Sequence, residues 1–141
     1  MVFIREQDQA AARERLQAMT DPVRLVFFTQ QLECQFCRET GQLLEELVAL
    51  SPKLVLETYN FQIDKEKVAQ YGVDKIPATV VEGKKDYGIH FYGIAAGYEF
   101  ASLLDAILLV SRGDSGLSPE TRQVLASVTR PARIEVFATP T

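Results

Sequence analysis

The first half of the chain alternates between strand-like and helix-like spacing of its apolar positions. Residues 23–29 (VRLVFFT) are almost continuously apolar, which is typical of a strand buried on both faces. Residues 54–61 alternate between apolar and polar side chains and predict a second strand. Between them, residues 34–50 follow helical spacing until Ser51-Pro52 ends the pattern. A helical crossover between two strands of one sheet makes the strands parallel.

The second half predicts a hairpin and a final helix. Asp64 is placed to cap a short helix that ends at Gly72, and Gly113 follows the last helical pattern. The remaining predicted elements are a strand at 77–81, a turn at 82–86, a strand at 87–92 and an amphipathic helix at 99–111. Residues 23–112 therefore spell βαβαββα, an α/β fold with a mixed four-stranded sheet and helices on both faces. That order is the thioredoxin-like arrangement.

Both ends of the chain extend this core. Residues 9–19 predict an additional N-terminal helix with Asp8 as its N-cap. Residues 118–128 predict a C-terminal helix packed on the preceding unit, and residues 133–138 alternate as a strand would. For 133–138 we expect either a frayed tail or a strand that pairs with another chain, as in a homodimer.

An internal repeat connects the two ends. The segment LQAMTDPVRLVFF, from Leu16 to Phe28, matches LASVTRPARIEVF, from Leu125 to Phe137, at five identical positions without gaps. The same offset of 109 residues places a counterpart of Cys34 just beyond Thr141. We therefore interpret 1–117 as one thioredoxin-like or glutaredoxin-like unit and 118–141 as the start of a second, incomplete one.

Composition and charge narrow the functional classes. The chain has 141 residues, and 47% of them are hydrophobic. Its net charge of −4 argues against binding to nucleic acids and against binding to an anionic membrane surface. The N-terminal residues lack the apolar stretch of a secretory signal, and no apolar run is long enough to cross a bilayer. With two cysteines only, the chain has no secreted disulfide framework, so we expect a cytoplasmic protein.

The two cysteines carry the candidate chemistry. Cys34 and Cys37 form a C-x-x-C motif after a predicted strand and at a predicted helix start, the pattern of a redox-active pair. Residues three apart at a helix start face one side, so the sulfurs can join or separate with little backbone motion. The helix N-terminus stabilises a thiolate, which makes Cys34 the better nucleophile, while Cys37 lies deeper and suits the resolving step.

Other interpretations of these residues remain open at this stage. The two cysteines could be structural, or Cys34 could hold an iron–sulfur cluster that bridges two chains. A zinc site within the chain would need more ligands, and His90, the single histidine, falls in the predicted hairpin. We therefore predict no metal and no cofactor at the site. Pro77 could begin its strand with an ordinary trans bond, but in this strand order we expect a cis Ile76–Pro77 bond that leaves the backbone near Ile76 free for a substrate.

The chain resembles the N-terminal unit of the glutaredoxin-like protein disulfide oxidoreductases, which carry two thioredoxin-fold units in tandem. The resemblance covers nearly the whole chain. It rests on Cys34-Gln-Phe-Cys37, on Ile76-Pro-Ala-Thr79, on the segments 85–93 and 96–100, and on 134–141. Departures are the absence of tryptophan before Cys34 and of proline between the cysteines, and Ala95 in place of a proline.

The resemblance implies thiol–disulfide exchange on protein substrates, with Cys34 as attacking thiolate, Cys37 as resolving thiol and Pro77 as the cis-proline beside them. It places Gln35, Phe36, Ile76 and Pro77 at the substrate-binding surface. Expected partners are protein disulfides or dithiols and a thiol reductant or an enzyme like thioredoxin reductase. The alternative function is a non-catalytic module for docking or assembly, or an iron–sulfur-binding, glutaredoxin-like protein.

Overall fold

A computed structural model describes residues 2–139, which form five helices and one four-stranded sheet. The helices are α1 (Glu6–Leu16), α2 (Cys37–Val48), α3 (Lys65–Tyr71), α4 (Tyr98–Arg112) and α5 (Pro119–Ala126). The strands are β1 (Val23–Thr29), β2 (Leu54–Asn60), β3 (Ala78–Glu82) and β4 (Asp86–Tyr92). The predicted βαβαββα order over 23–112 is confirmed, and so is the additional helix before it.

The sheet brings the ends of three strands to one edge. Its order is β2-β1-β3-β4, with β1 parallel to β2 and antiparallel to β3, and with β3 antiparallel to β4. The carboxyl ends of β1, β2 and β4 therefore lie at the same edge as the amino end of β3. We call this the upper edge. Every loop that leaves β1, β2 or β4 and the loop that enters β3 meet there.

Helices cover both faces of the sheet, as predicted. On one face, Leu25 and Phe27 of β1 pack into a large core with buried residues of α1, α2 and α4. On the other face, Val26 and Phe28 pack with Tyr71 at the end of α3. Since β1 alternates between these two cores and is buried on both sides, its nearly continuous apolar sequence is explained.

Helices α1 and α2 each begin three residues away from the position that the sequence predicted. Helix α1 begins at Glu6 because Arg5 is extended and its carbonyl accepts the N–H of Gln9 at 2.8 Å. Asp8 therefore lies in the first turn of α1 and is not the N-cap. Helix α2 begins at Cys37, after Phe36 as N-cap, so Cys34 precedes the helix instead of opening it.

A carboxylate on α2 fixes the chain before α1. The oxygens of Glu46 accept the backbone N–H of Phe3 at 2.9 and 3.1 Å and that of Ile4 at 2.9 Å. Ile4 is buried in the core between α1, α2 and α4. The Glu46 side chain thus supplies acceptors for N–H groups that no helix or strand uses.

The C-terminal extension forms the predicted helix, but this helix does not pack on the preceding unit. Helix α5 begins after Ser118, whose Oγ accepts the N–H of Thr121 at 3.2 Å, as an N-cap serine does. None of its residues is buried, so the expectation of a helix packed on the preceding unit is wrong. Residues 131–139 have no helix or strand and are exposed, which matches the frayed-tail expectation and adds no strand to the sheet.

Within residues 2–139 no helix is long and apolar enough to cross a membrane.

Candidate active site

The two cysteines lie at the upper edge, between β1 and α2. Strand β1 ends at Thr29, and the loop that follows carries Cys34 to the start of α2, where Cys37 is the first helical residue. Glu33, just before Cys34, has a φ of 57°, a left-handed conformation that non-glycine residues adopt rarely. Such backbone conformations are concentrated at functional sites, where the surrounding structure holds them in place.

Cys34 and Cys37 form a disulfide, with their Cα atoms 5.5 Å apart. The two cysteines differ in their exposure to solvent, because Cys37 is 3% exposed and Cys34 is partly exposed. Cys34 is therefore the more accessible residue of the pair, while Cys37 is buried. The charged neighbours Glu33, Arg38 and Glu39 carry both signs, so no strong local field of one sign surrounds the pair.

The buried first turn of α2 contains a hydroxyl that the sequence did not single out. Thr40 is 1% exposed and lies three residues after Cys37, on the same helix face. Its Oγ donates to the carbonyl of Phe36 at 2.6 Å, and its N–H donates to the same carbonyl at 2.9 Å. The two bonds fix the peptide that joins Phe36 to the buried cysteine. Only the i, i+3 spacing from Cys37 could have indicated this role.

The Ile76–Pro77 peptide bond is cis and lies at the entrance to β3, on the upper edge. Pro77 is buried, and its carbonyl accepts the N–H of Gly93 at 2.9 Å, which joins the start of β3 to the end of β4. Ile76 is partly exposed, and neither its N–H nor its C=O is hydrogen-bonded to any residue of 2–139. An extended segment beside Ile76 would find a free donor and a free acceptor.

Gln35 and Phe36, the two residues between the cysteines, are exposed at the upper edge. Phe36 keeps 44% of its surface exposed although it is the N-cap of α2. The sequence-predicted residues Cys34, Gln35, Phe36, Cys37, Ile76 and Pro77 are all placed on this edge of the sheet.

Residues 2–139 contain no group of three or more His, Cys, Asp or Glu side chains that could hold a metal ion. His90 lies on β4, partly buried, with its Nε2 at 3.1 Å from Asp86 Oδ2 and its ring against Tyr92. The imidazole is thus engaged within the hairpin.

A further titratable cluster lies away from the disulfide, on the face covered by α3. The hydroxyl of Tyr71 donates to Glu82 at 2.5 Å, and Arg24 lies between Glu82 and Glu57. Burial and then the bond to Glu82 raise the pKa of Tyr71 well above its usual value. This cluster connects α3 to the three strands β1, β2 and β3.

Solved structures resemble this chain over most of its length. A protein disulfide oxidoreductase from Aeropyrum pernix is 27% identical and has a TM-score of 0.78, covering 90% of this chain. The alkylhydroperoxide reductase AhpF from Enterococcus faecalis is 25% identical, with a TM-score of 0.79 over 89% of this chain. A thioredoxin from Fasciola hepatica, 22% identical with a TM-score of 0.53, covers 72% of this chain and supports the fold alone. No protein-family model and no curated protein matches the sequence.

The fold and the cysteine pair define a protein of the thioredoxin fold. Within that fold, the chain is similar to protein disulfide oxidoreductases and to the N-terminal domain of the alkylhydroperoxide reductase AhpF. The similarity of this chain to these structures, together with the Cys34–Cys37 pair, supports a redox function in general terms. The chain spans 56% of the Aeropyrum pernix structure and 61% of the Enterococcus faecalis AhpF structure.

Proposed function

We propose that this chain is a thiol–disulfide oxidoreductase that exchanges its Cys34–Cys37 pair with disulfides or dithiols of protein substrates. The observation that carries the proposal is the unequal exposure of the two cysteines, since Cys34 is partly exposed and Cys37 is 3% exposed. An accessible attacking sulfur and a covered resolving sulfur are what a two-step exchange needs.

In the reducing direction, the Cys34 thiolate attacks one sulfur of a substrate disulfide. The Cys34–substrate bond forms, the substrate disulfide breaks, and the first substrate thiolate leaves. Cys37, as thiolate, then attacks the sulfur of Cys34, which forms the Cys34–Cys37 disulfide and releases the second substrate thiolate. The substrate gains two electrons and the pair loses two. A thiol reductant or an enzyme like thioredoxin reductase restores the dithiol, and the same steps reversed oxidise a substrate dithiol.

The proposed substrate site consists of Gln35, Phe36, Ile76 and Pro77. Ile76 offers a free backbone N–H and C=O at the edge where the disulfide lies. A substrate segment in an extended conformation would hydrogen-bond there, which would bring its cysteine to the accessible sulfur. The proposed compartment is the cytoplasm, where a reversible cysteine pair is more typical than a structural one.

The test compares three proteins in the reduction of insulin by dithiothreitol. We expect wild type to accelerate the reaction and Cys34→Ser to abolish the acceleration with the fold unchanged. Cys37→Ser should accumulate a mixed disulfide with substrate on Cys34, visible by mass spectrometry, because the resolving thiol is absent. Wild-type thiols that never react would contradict the proposal and favour a docking or assembly module. An iron-containing preparation would favour the cluster-binding alternative.

We also propose that residues 1–117 form one unit and that 118–141 begin a second unit of the same kind. The repeat supports it, because the matched residues have opposite surroundings. Leu16 is 2% exposed and Phe28 is fully buried, whereas their counterparts Leu125 and Phe137 are 51% and 89% exposed. Side chains that lie in the core of the first copy thus correspond to exposed side chains in the second copy. The remainder of a second unit or a second copy of this chain could cover them.

A further inference from the structure

The buried face of α2, which lies wholly in the part of the chain that the structure describes, carries one hydroxyl among apolar side chains and a cysteine. Its buried residues are Cys37, Thr40, Leu43, Leu44 and Leu47. Thr40 is 1% exposed, so its hydroxyl is removed from water and requires a hydrogen-bond partner within the protein. A valine has nearly the same shape and would be buried there without that requirement. Packing therefore does not account for a hydroxyl at this position.

The partner of this hydroxyl is the peptide that enters the buried cysteine. The Oγ of Thr40 donates to the carbonyl of Phe36 at 2.6 Å, and the same carbonyl accepts the N–H of Thr40 at 2.9 Å. Threonine in a helix often bonds the carbonyl four residues earlier, so the type of bond is common. Its location is what matters here, because the Phe36 carbonyl and the Cys37 N–H belong to one peptide unit between the two cysteines.

The N–H of that peptide unit faces the end of α2 at which Cys34 lies. In a trans peptide the C=O and the N–H point in opposite directions, and the Phe36 carbonyl points into the helix, toward Thr40. The Cys37 N–H therefore points out of the helix N-terminus. No residue of 2–139 accepts this N–H, and the N-cap Phe36 has a side chain that cannot accept it. Since the disulfide holds the sulfur of Cys34 beside Cys37, a Cys34 thiolate can accept from this free donor after reduction.

The turn that contains Thr40 is packed closely against β1. A Cβ on Gly41, the next residue, would lie 3.2 Å from Cε1 of Phe27, which is closer than an ordinary van der Waals contact. Phe27 itself lies in the core beneath α2. Glycine weakens a helix interior, so its presence here is explained by the close approach of the helix to the strand. This packing holds the first turn of α2 in place and keeps the Thr40 hydroxyl aligned with the Phe36 carbonyl.

We propose that Thr40 is a positioning residue for the redox pair, and that its hydroxyl orients and polarises the Phe36–Cys37 peptide so that the Cys37 N–H stabilises the thiolate of Cys34. This inference rests on the proposed function and adds a residue that sets the balance between disulfide and dithiol. A hydrogen bond to the carbonyl of an amide strengthens the N–H of the same amide as a donor. Because the thiolate exists only in the reduced state, the Thr40 hydroxyl stabilises the dithiol relative to the disulfide.

The first experiment measures the equilibrium of the cysteine pair with glutathione. One protein disulfide and two molecules of reduced glutathione give one protein dithiol and one molecule of oxidised glutathione, so two electrons pass to the protein. We expect Thr40→Val to lower the equilibrium constant for this reduction about threefold, which makes the reduction potential about 14 mV more negative. Thr40→Ala also lacks the hydroxyl and should shift the constant in the same direction, and it decides the question if Thr40→Val does not fold. Thr40→Ser retains the hydroxyl and should remain within about 1.5-fold of wild type.

A matched control removes the same kind of bond elsewhere in the chain. The hydroxyl of Ser127 donates to the carbonyl of Val124 at 2.6 Å at the end of the exposed helix α5, and Ser127→Ala should leave the glutathione equilibrium unchanged. Nuclear magnetic resonance adds a local readout, because the amide proton of Cys37 should change its chemical shift on reduction less in Thr40→Val than in wild type or Thr40→Ser. An unchanged equilibrium in both Thr40→Val and Thr40→Ala, or an equal shift in Thr40→Ser, would overturn the inference.

The second experiment separates this inference from the proposed function. The equilibrium with glutathione requires no protein substrate, whereas the reduction of insulin by dithiothreitol tests exchange with one. If wild type accelerates insulin reduction and the variants that lack the Thr40 hydroxyl keep the wild-type equilibrium, the role of Thr40 is overturned and the proposed function stands. If those variants shift the equilibrium as expected but wild type never accelerates insulin reduction, exchange on protein substrates is overturned and the role of Thr40 stands.

Discussion

At the scale of single residues, Gly83 shows how closely the turn after β3 approaches α4. A Cβ at this position would lie 2.8 Å from Val110 Cγ1 and 2.9 Å from the Val110 carbonyl oxygen. A backbone oxygen cannot rotate away as a side chain can, so the turn or the helix must shift. We predict that Gly83→Ala lowers the free energy of unfolding by about 1–3 kcal/mol.

Urea denaturation measures this change, with Lys84→Ala as the control in the same turn. Lys84 is 80% exposed and pairs only at the surface with Asp21, so its loss should change stability by less than about 0.5 kcal/mol. If Gly83→Ala were as stable as Lys84→Ala, the approach of the turn to α4 would be looser than described.

Residue types with a local chemical signature were predictable from the sequence, and those defined by packing were not. Cys34 and Cys37 are marked by their spacing, and Pro77 by its place before a strand. The left-handed backbone of Glu33 and the buried hydroxyl of Thr40 have no such mark. Exposed apolar residues at the upper edge, such as Leu32 and Ile63, look in sequence like ordinary core residues, because only the fold tells which loops meet there.

At the scale of elements, charged side chains link the three strands β1, β2 and β3 at the end of the sheet away from the disulfide. Arg24 donates to Glu57 at 3.0 Å and lies 3.6 Å from Glu82. The bond from Arg24 is the largest cause that lowers the pKa of Glu57, and the hydroxyl of Tyr59 contributes in the same direction while burial opposes both.

A lowered pKa in the folded state fixes the sign of the pH dependence. The ionised Glu57 stabilises the fold fully above the unfolded pKa, roughly 4.3, and this contribution is lost as the pH falls through the lower folded value. We predict that Glu57→Gln reduces stability by on the order of 0.5 kcal/mol at pH 7 and makes no difference at about pH 2. The magnitude is small because Arg24 and Glu57 are 41% and 33% exposed, where water and salt screen the pair.

Urea denaturation at a series of pH values measures this difference. Glu45→Gln serves as the control, since Glu45 is exposed on α2. A Glu57→Gln profile parallel to that of wild type from neutral to acidic pH would contradict the prediction.

Element boundaries were less predictable than element order. The spacing of apolar residues fixes which faces are buried, so β1 is predicted at its observed bounds. Helix starts depend on single backbone conformations, such as the extended Arg5 before α1 and the turn from Glu33 to Phe36 before α2. The N-cap residue can lie a few residues before or after the point where the helical spacing of apolar residues begins. The prediction of Asp8 as the N-cap of α1 was therefore wrong, and Arg5 occupies that position.

At the scale of the whole molecule, the body of the protein was predictable and the C-terminal packing was not. The order of strands and helices between 23 and 112 follows from connection rules that admit few topologies. The position of α5 depends on which surface its apolar side chains pack against. Within residues 2–139 no element buries these side chains. The repeat predicts that the apolar side chains of 125–137 can form a core as those of 16–28 do, but it does not predict which residues they contact.

The exposed C-terminal segment leads to a prediction about assembly. Ile134, Val136 and Phe137 are 87%, 84% and 89% exposed, on a backbone that pairs with no strand of residues 2–139. Burying one such side chain contributes about 1.5–3 kcal/mol, and an unpaired extended segment can add to the edge of another sheet. We predict that the 141-residue chain self-associates through this segment, so that its weight-average mass in sedimentation equilibrium rises with concentration.

Charge substitutions in the segment should remove this association. Ile134→Asp/Phe137→Asp is expected to give the mass of one chain at every concentration, because two charges would be buried in the contact. Glu135→Gln, which keeps the apolar side chains and removes one charge paired with Arg133, should associate as wild type does. Amide hydrogen exchange adds a local readout, since the N–H groups of residues 134–137 should become protected only at concentrations where the mass rises. A wild-type chain of constant single mass, with these amides unprotected, would contradict the prediction.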